Sequence, residues 1–267
     1  MLSPSPSLQS ASGAKKRPHV TIRGLSKRFD KAVIYDNFDL DIPRGELISV
    51  FGPNGCGKST LINIVAGLIA PDAGQILFDG MKLDEIKFGY VFQNYREALF
   101  PWLRAFDNIA YPLKMMQVRP AERRVRTEKL VAHLGVKLDL NLYPYQMSGG
   151  QQQLVSIMRA LIVEPEILFL DEPFSALDYE MTLFMREQLQ RIFMETGTTT
   201  VLVSHDLEEA VFLADRVLLL SRHPARVAEF TKVAAPRPRN DATLSDPEFV
   251  RTKAHCLDVF QREVRRA

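Results

Sequence analysis

Gly52-Pro53-Asn54-Gly55-Cys56-Gly57-Lys58-Ser59 is the stretch that decides the reading of this sequence. It matches G-x-x-x-x-G-K-[ST], and its surroundings fit the motif. Leu47–Phe51 is a short apolar run before it, and Ser59–Leu68 has helical spacing after it, with Leu61, Ile64, Val65 and Leu68 on one side. Glycines let backbone N–H groups turn inward around an anion, and the helix start at Ser59 adds partial positive charge. Lys58 can reach β- and γ-phosphates, and the Ser59 hydroxyl can bind Mg²⁺. Cys56 has two readings: a small filler facing away from phosphate, which is favoured, or a thiol activated by the helix terminus and Lys58.

Outward from this loop, Val20–Leu25 reads as a strand. In Asn37–Ile42, Phe38, Leu40 and Ile42 alternate with Asn37, Asp39 and Asp41, the pattern of a half-buried antiparallel strand. Gln75–Phe78 and Gly89–Gln93 are further strands. The pattern turns helical from Glu97 to Leu161. Three later apolar runs, Ile167–Leu170, Thr199–Ser204 and Arg216–Leu220, are separated by helical stretches near Tyr179–Glu195 and Asp206–Ala214. That rhythm implies a parallel sheet with helices on its faces and the middle helical block as an insertion. Pro236–Arg239 reads as an extended linker. Asp246–Arg266 reads as a terminal helix capped by Asp246, with Pro247 in its first turn.

Ile167–Leu170 runs into Asp171-Glu172. Neighbours on a strand point opposite ways, so the two carboxylates can do different work. Asp171 is placed to hold Mg²⁺ through its water shell, and Glu172 to face an attacking water as general base.

Composition narrows the classes. At 267 residues and 46% hydrophobic, the chain suits one large α/β domain with a real core. A net charge of +2 makes no demand for nucleic acid, and the basic run Arg119–Arg126 reads as a solvated helix face. No stretch approaches the roughly 20 apolar residues of a membrane span. Met1–Lys16, rich in Ser and Pro, reads as a disordered tail rather than a signal, and two distant cysteines fit a reducing cytoplasm.

Between the two motifs lies Met147-Ser148-Gly149-Gly150-Gln151, which resembles the signature of ATP-binding cassette (ABC) proteins; the resemblance runs from Val20 to Phe230. It implies an α/β fold of the P-loop NTPase (ABC ATPase) type, with a parallel-sheet core, an antiparallel β subdomain and an inserted helical subdomain. The expected organisation is a tail at 1–17, an ATPase domain at 18–235 with the helical subdomain at about 97–161, and a linker with C-terminal helix at 236–267. By the same resemblance Phe29 stacks on adenine, with core packing as its alternative. Gln93 touches Mg²⁺ and the nucleophilic water, His205 contacts the γ-phosphate, and Ser175-Ala176-Leu177-Asp178 crosses a dimer interface. Thr60 joins the loop residues that bind ATP. Ser148, Gly149, Gly150 and Gln151 bind the ATP held by the opposite subunit. Met147 stands for the usual leucine of this motif, and Leu154 for an arginine common in the helix that follows.

Phe92 to Leu103, running through Leu99-Phe100-Pro101-Trp102, resembles importer ATPases for nitrate, sulfonates and taurine. The implied partners are a second ATPase subunit, separate transmembrane permease subunits and, indirectly, an extracytoplasmic substrate-binding protein, at the cytoplasmic face of the membrane. Leu99, Phe100, Trp102 and Phe106 are expected either to cradle a permease helix or to pack the subdomain core. An exporter ATPase or a non-transport ABC ATPase is the alternative.

Overall fold

The structure, a computed structural model, describes residues 18–175 and 177–265; the expected tail at 1–17, Ala176 within the expected interface segment, and residues 266–267 lie outside the described residues. Two sheets organise it. Strands β1 (Pro18–Phe29), β2 (Ala32–Pro43) and β4 (Ala73–Phe78) pair antiparallel in the order β2-β1-β4. On β2, Phe38, Leu40 and Ile42 are buried while Asn37, Asp39 and Asp41 are exposed, the alternation the pleat demands.

The second sheet has the order β5-β6-β7-β3-β8-β9. Strands β3 (Leu47–Phe51), β5 (Phe88–Val91), β6 (Ile167–Asp171), β7 (Thr199–Val203) and β8 (Arg216–Leu220) run parallel. Every residue of β3, β6 and β7 is buried, which is why these strands read as continuous apolar runs. Strand β9 (Val227–Lys232) closes the edge antiparallel to β8 and was not anticipated. Its Val-Ala-Glu-Phe-Thr-Lys has no apolar run; pairing with β8, not local pattern, makes it a strand.

Helix α1 (Lys58–Val65) follows the loop and is shorter than its expected span. Gly67 takes a left-handed φ of 71°, and its N–H and that of Leu68 bond Ile64 O and Asn63 O. This C-terminal closure turns the chain out, so Leu68 is half exposed instead of joining the apolar face. Helices α2 (Tyr95–Ala98), α3 (Ala105–Met115), α4 (Pro120–Leu134) and α5 (Gly149–Leu161) lie between β5 and β6 in sequence. The basic run falls at the start of α4, where Arg126 pairs with Glu122 and Arg124 with Glu128 along the helix. Gly89 on β5 permits the close approach of α5, since a Cβ there would stand 2.5 Å from the Ala160 carbonyl oxygen. The chain ends with α6 (Tyr179–Thr196), α7 (Leu207–Leu213), α8 (Asp241–Leu244) and α9 (Pro247–Arg265). Asp246 Oδ1 accepts from the N–H groups of Glu248 and Phe249, capping α9 as expected. Pro236–Arg239 has no regular structure, yet it is not a free linker, because Arg239 is only 3% exposed. No helix among the described residues is long and apolar enough to cross a membrane.

His19 ties the two sheets together. It is buried on β1, and its Nδ1 lies 2.6 Å from Thr199 Oγ1 on β7. Burial, then the nearby Arg44 charge, lowers its pKa from 6.5 to about 4. The folded protein therefore binds this proton less readily than the unfolded chain. The stabilisation is complete above pH 6.5 and is lost as pH falls towards 4. Between pH 7 and pH 5 the wild type should lose about 2 kcal/mol more stability than His19→Gln. Urea unfolding at the two pH values measures this, and equal losses would refute it.

Candidate active site

The carboxyl ends of adjacent parallel strands converge, the usual place for a ligand in such sheets. Val91 is level with Leu170, Asp171 with Val203, and Val203 with Val50. The segments leaving β5, β6, β7 and β3 therefore emerge side by side, carrying Gln93, Glu172, His205 and the Gly52–Ser59 loop.

The loop wraps around its own lysine. Lys58, 7% exposed, donates through Nζ to Gly52 O at 2.9 Å and Pro53 O at 3.1 Å. Asn54 and Gly55 are exposed, Gly52, Pro53 and Cys56 are buried, and Ser59 and Thr60 are half-buried. Gly57 has a φ of 105°, and a Cβ there would meet Ile34 Cγ2 at 2.8 Å and Tyr35 Oη at 3.0 Å. Tyr35, fully buried on β2, donates to Gly57 O at 2.9 Å. The antiparallel sheet thus braces the loop from below, a contact sequence reading missed. Cys56 is 2% exposed, and burial raises its thiol pKa despite Lys58. It is a filler, and the activated-thiol reading is not supported.

Ser59 Oγ donates to Asp171 Oδ1 at 3.1 Å. Tyr90, on β5, donates to Asn63 Oδ1 at 2.7 Å and reaches Asp171 Oδ2 at 3.5 Å. In the sequence, its only cue is a tyrosine on the strand leading to Gln93. Asp171 is 5% exposed, and burial pushes its carboxyl pKa up while Ser59 and Tyr90 pull it down. A carboxylate so desolvated gains from a cation beside it. Together with the Ser59 hydroxyl it forms an all-oxygen donor set that suits Mg²⁺.

Glu172 diverges from Asp171 for a different reason than strand alternation. Its φ is 46°, a left-handed conformation that costs a non-glycine residue roughly 1 kcal/mol or more. This turn points its carboxylate to the open side. There Gln93 Nε2 donates to Glu172 Oε2 at 2.9 Å, and His205 Nδ1 lies 3.3 Å from the same oxygen. Behind His205, Ser204 Oγ and the Glu209 carboxylate pair within the core, and Asp206 Oδ1 caps α7 by accepting from Glu209 N.

The remaining expected residues lie apart. Phe29 ends β1, 44% exposed, with Lys27 Nζ 5.2 Å from its ring centroid, so it is not core packing. Ser148 caps α5: its Oγ accepts from Gln151 N, while the Gln151 side chain accepts from Ser148 N. Among the described residues no hydrogen bond joins this turn to the phosphate loop. Leu154, Ile157, Met158 and Leu161 are all buried, so leucine at 154 packs in the core. Asp178 caps α6 by accepting from Met181 N. Of the expected groove residues, Leu99 is core, whereas Trp102 is 70% exposed. Beside them Phe92, Phe100, Tyr111, Pro112 and Arg159 line a cavity of about 310 Å³.

Comparison with known proteins agrees with this arrangement. A family model described as ABC transporter matches residues 35–175. An uncharacterized ABC transporter ATP-binding protein of Methanocaldococcus jannaschii is 35% identical over 260 residues, covering 94% of this chain and 96% of its own. A sulfate/thiosulfate import ATP-binding protein of Bordetella parapertussis is 42% identical over 82% of this chain. A spermidine/putrescine import ATP-binding protein of Marinobacter nauticus is 43% identical over 77%. This chain spans 62% and 56% of the length of those two. A dimeric structure of an ATP-binding cassette in a post-hydrolysis state with ADP and Pi superposes with a TM-score of 0.71 at 31% identity. It covers 81% of this chain and all of that one. With a model matching more than half of its length and a relative aligned almost end to end, the chain belongs to the ABC transporter family, as an ATP-binding and ATP-hydrolysing cassette.

Proposed function

We propose that this chain is the ATPase subunit of an ABC importer, powering a separate permease from the cytoplasmic face of the membrane. The observation that carries the ATPase part of the reading is the Glu172 carboxylate, set between Gln93 and His205 while its neighbour Asp171 accepts from Ser59. Lys58 and the loop N–H groups bind the β- and γ-phosphates, and Phe29 stacks on adenine. Ser59, Asp171 and Gln93 would hold Mg²⁺, which when bound would neutralise phosphate charge. Glu172 takes the proton of the attacking water, Gln93 orients that water, and His205 contacts the γ-phosphate.

Ser148, Gly149, Gly150 and Gln151, at the capped start of α5, form an anion site for the ATP of a second copy, so two cassettes sandwich two nucleotides. Asp178 belongs to the segment crossing between them. Closure on ATP and opening after hydrolysis shift a conformational equilibrium that the permease converts into transport. The relatives named for sulfate/thiosulfate and polyamine import support uptake. The narrower solute class, nitrate, sulfonate or taurine handed over by an extracytoplasmic binding protein, rests on the Leu99–Leu103 stretch, with exposed Trp102 beside the aromatic cavity as the permease contact.

Tagged chain purified from gently solubilised native membranes should bring down a multi-span membrane protein. Trp102→Glu should reduce that recovery by about tenfold or more. Recovery of ribosomal or DNA-bound factors instead would overturn the transport reading.

A further inference from the structure

The last four carbonyls of a helix have no partners within it. In α7 these belong to Val211, Phe212, Leu213 and Ala214, and two arginines from the supposed linker satisfy all four. Arg239 Nη1 donates to Val211 O at 3.1 Å, Phe212 O at 2.9 Å and Ala214 O at 2.7 Å. Its Nε and Nη2 donate to Ala235 O at 3.0 and 2.9 Å. Arg237 Nη2 donates to Leu213 O, and its Nε to Asp215 Oδ1 at 3.1 Å. A cation at this end also meets the negative pole of the helix.

Arg239 is itself anchored from behind. Its N–H donates to Gln190 Oε1 at 2.9 Å, and Gln190 Nε2 donates to its carbonyl at 3.0 Å. Gln190 is buried on α6, the helix that Asp178 caps. On the other side α9 holds α7 through Lys253 Nζ to Glu208 Oε2 at 2.8 Å and the Phe212–Phe249 ring contact. At seven residues α7 is a rod of about 10 Å, and His205 stands immediately before its cap, Asp206. Fixing one end of so short a helix fixes the other.

We infer that Arg239 is a positioning residue for hydrolysis: its guanidinium holds the carboxyl end of α7, and through that helix sets where His205 meets the γ-phosphate. The inference rests on the reading of His205 given above. Lysine is no equivalent, because one ammonium cannot bond the α7 carbonyls and also Ala235 O, which the fork holds through Nε and Nη2.

The test is turnover of the full chain per competent site, with sites counted by titration with a fluorescent ATP analogue. Arg239→Lys should lower kcat per site by about tenfold, with KM for ATP unchanged, as expected for a displaced reacting-site group. Gln190→Met keeps the guanidinium and removes only its rear anchor. It should lower kcat about threefold, and it carries the test if Arg239→Lys yields no competent sites. A merely structural role reduces the number of sites and leaves kcat per site intact; that outcome in Arg239→Lys, or in Gln190→Met where Arg239→Lys yields no sites, overturns the inference. His205→Ala, run alongside, separates the two readings. Wild-type turnover there overturns the assignment of His205 itself, whereas loss of turnover there with unaltered kcat in the other variants overturns only the role of Arg239.

Discussion

Glu172→Gln is expected to lower ATP turnover by roughly 10²–10⁴-fold, the span that general-base catalysis supplies, while ATP still binds. The substitution keeps side-chain volume and leaves an amide oxygen able to accept from Gln93 Nε2, so the site's geometry survives. What disappears is the basic oxygen that Gln93 and His205 both approach, at 2.9 and 3.3 Å. The left-handed backbone at Glu172 is a local cost retained in both proteins, so stability should change little. Phosphate release under saturating MgATP gives the turnover, and a fluorescent analogue gives the affinity. Turnover within threefold of wild type would remove Glu172 from the chemistry.

Lys58→Met should act on the opposite term. Its ammonium is buried and held by two carbonyls of the loop, Gly52 O and Pro53 O. An anion entering the loop meets a cation already positioned and largely desolvated. Methionine fills the space of the aliphatic stem without the charge, leaving those carbonyls without their donor. Truncating one partner of a buried charge pair costs about 2–5 kcal/mol, so ATP affinity should fall by roughly 10²-fold or more. Titration calorimetry would show it. Unchanged affinity would mean that backbone N–H groups and the α1 terminus suffice for binding.

Local chemistry made much of this molecule legible. Apolar strand, glycine-rich loop and helix at Leu47–Val65 specify their own geometry, because the loop's turns need glycine and the helix start needs an anion. Ser148 and Gln151 write their capping box within four residues. Asp246 announces α9 in the same way. The alternation on β2 reports a sheet with one buried face.

Most of the missed features depend on contacts between separate elements of the chain. Tyr35 reaches Gly57 from another sheet. Tyr90 reaches Asp171 across 81 residues, and Gln93 reaches Glu172 across 79. β9 is a strand only because β8 offers it an edge. The Pro-Arg-Pro-Arg stretch has the composition of a linker, and the burial of Arg239 within it follows from orphan carbonyls on α7 that no nearby residue reveals. The expected divergence of Asp171 and Glu172 is real, but a left-handed turn produces it where alternation had been expected.

The sequence by itself determined the phosphate loop, the acidic pair, the capped helices and the parallel α/β layout, since each follows from short-range sterics, hydrogen bonding and periodic burial. Only the tertiary structure decided that β3, β5, β6 and β7 lie level, so that Lys58, Asp171, Glu172, Gln93 and His205 gather at the carboxyl end of the sheet, and that Arg239 turns inward to α7. Strand order and the partners of buried polar groups are settled by packing between distant segments, where hydrogen-bond demand left by one element is met by another, and no local pattern records that demand.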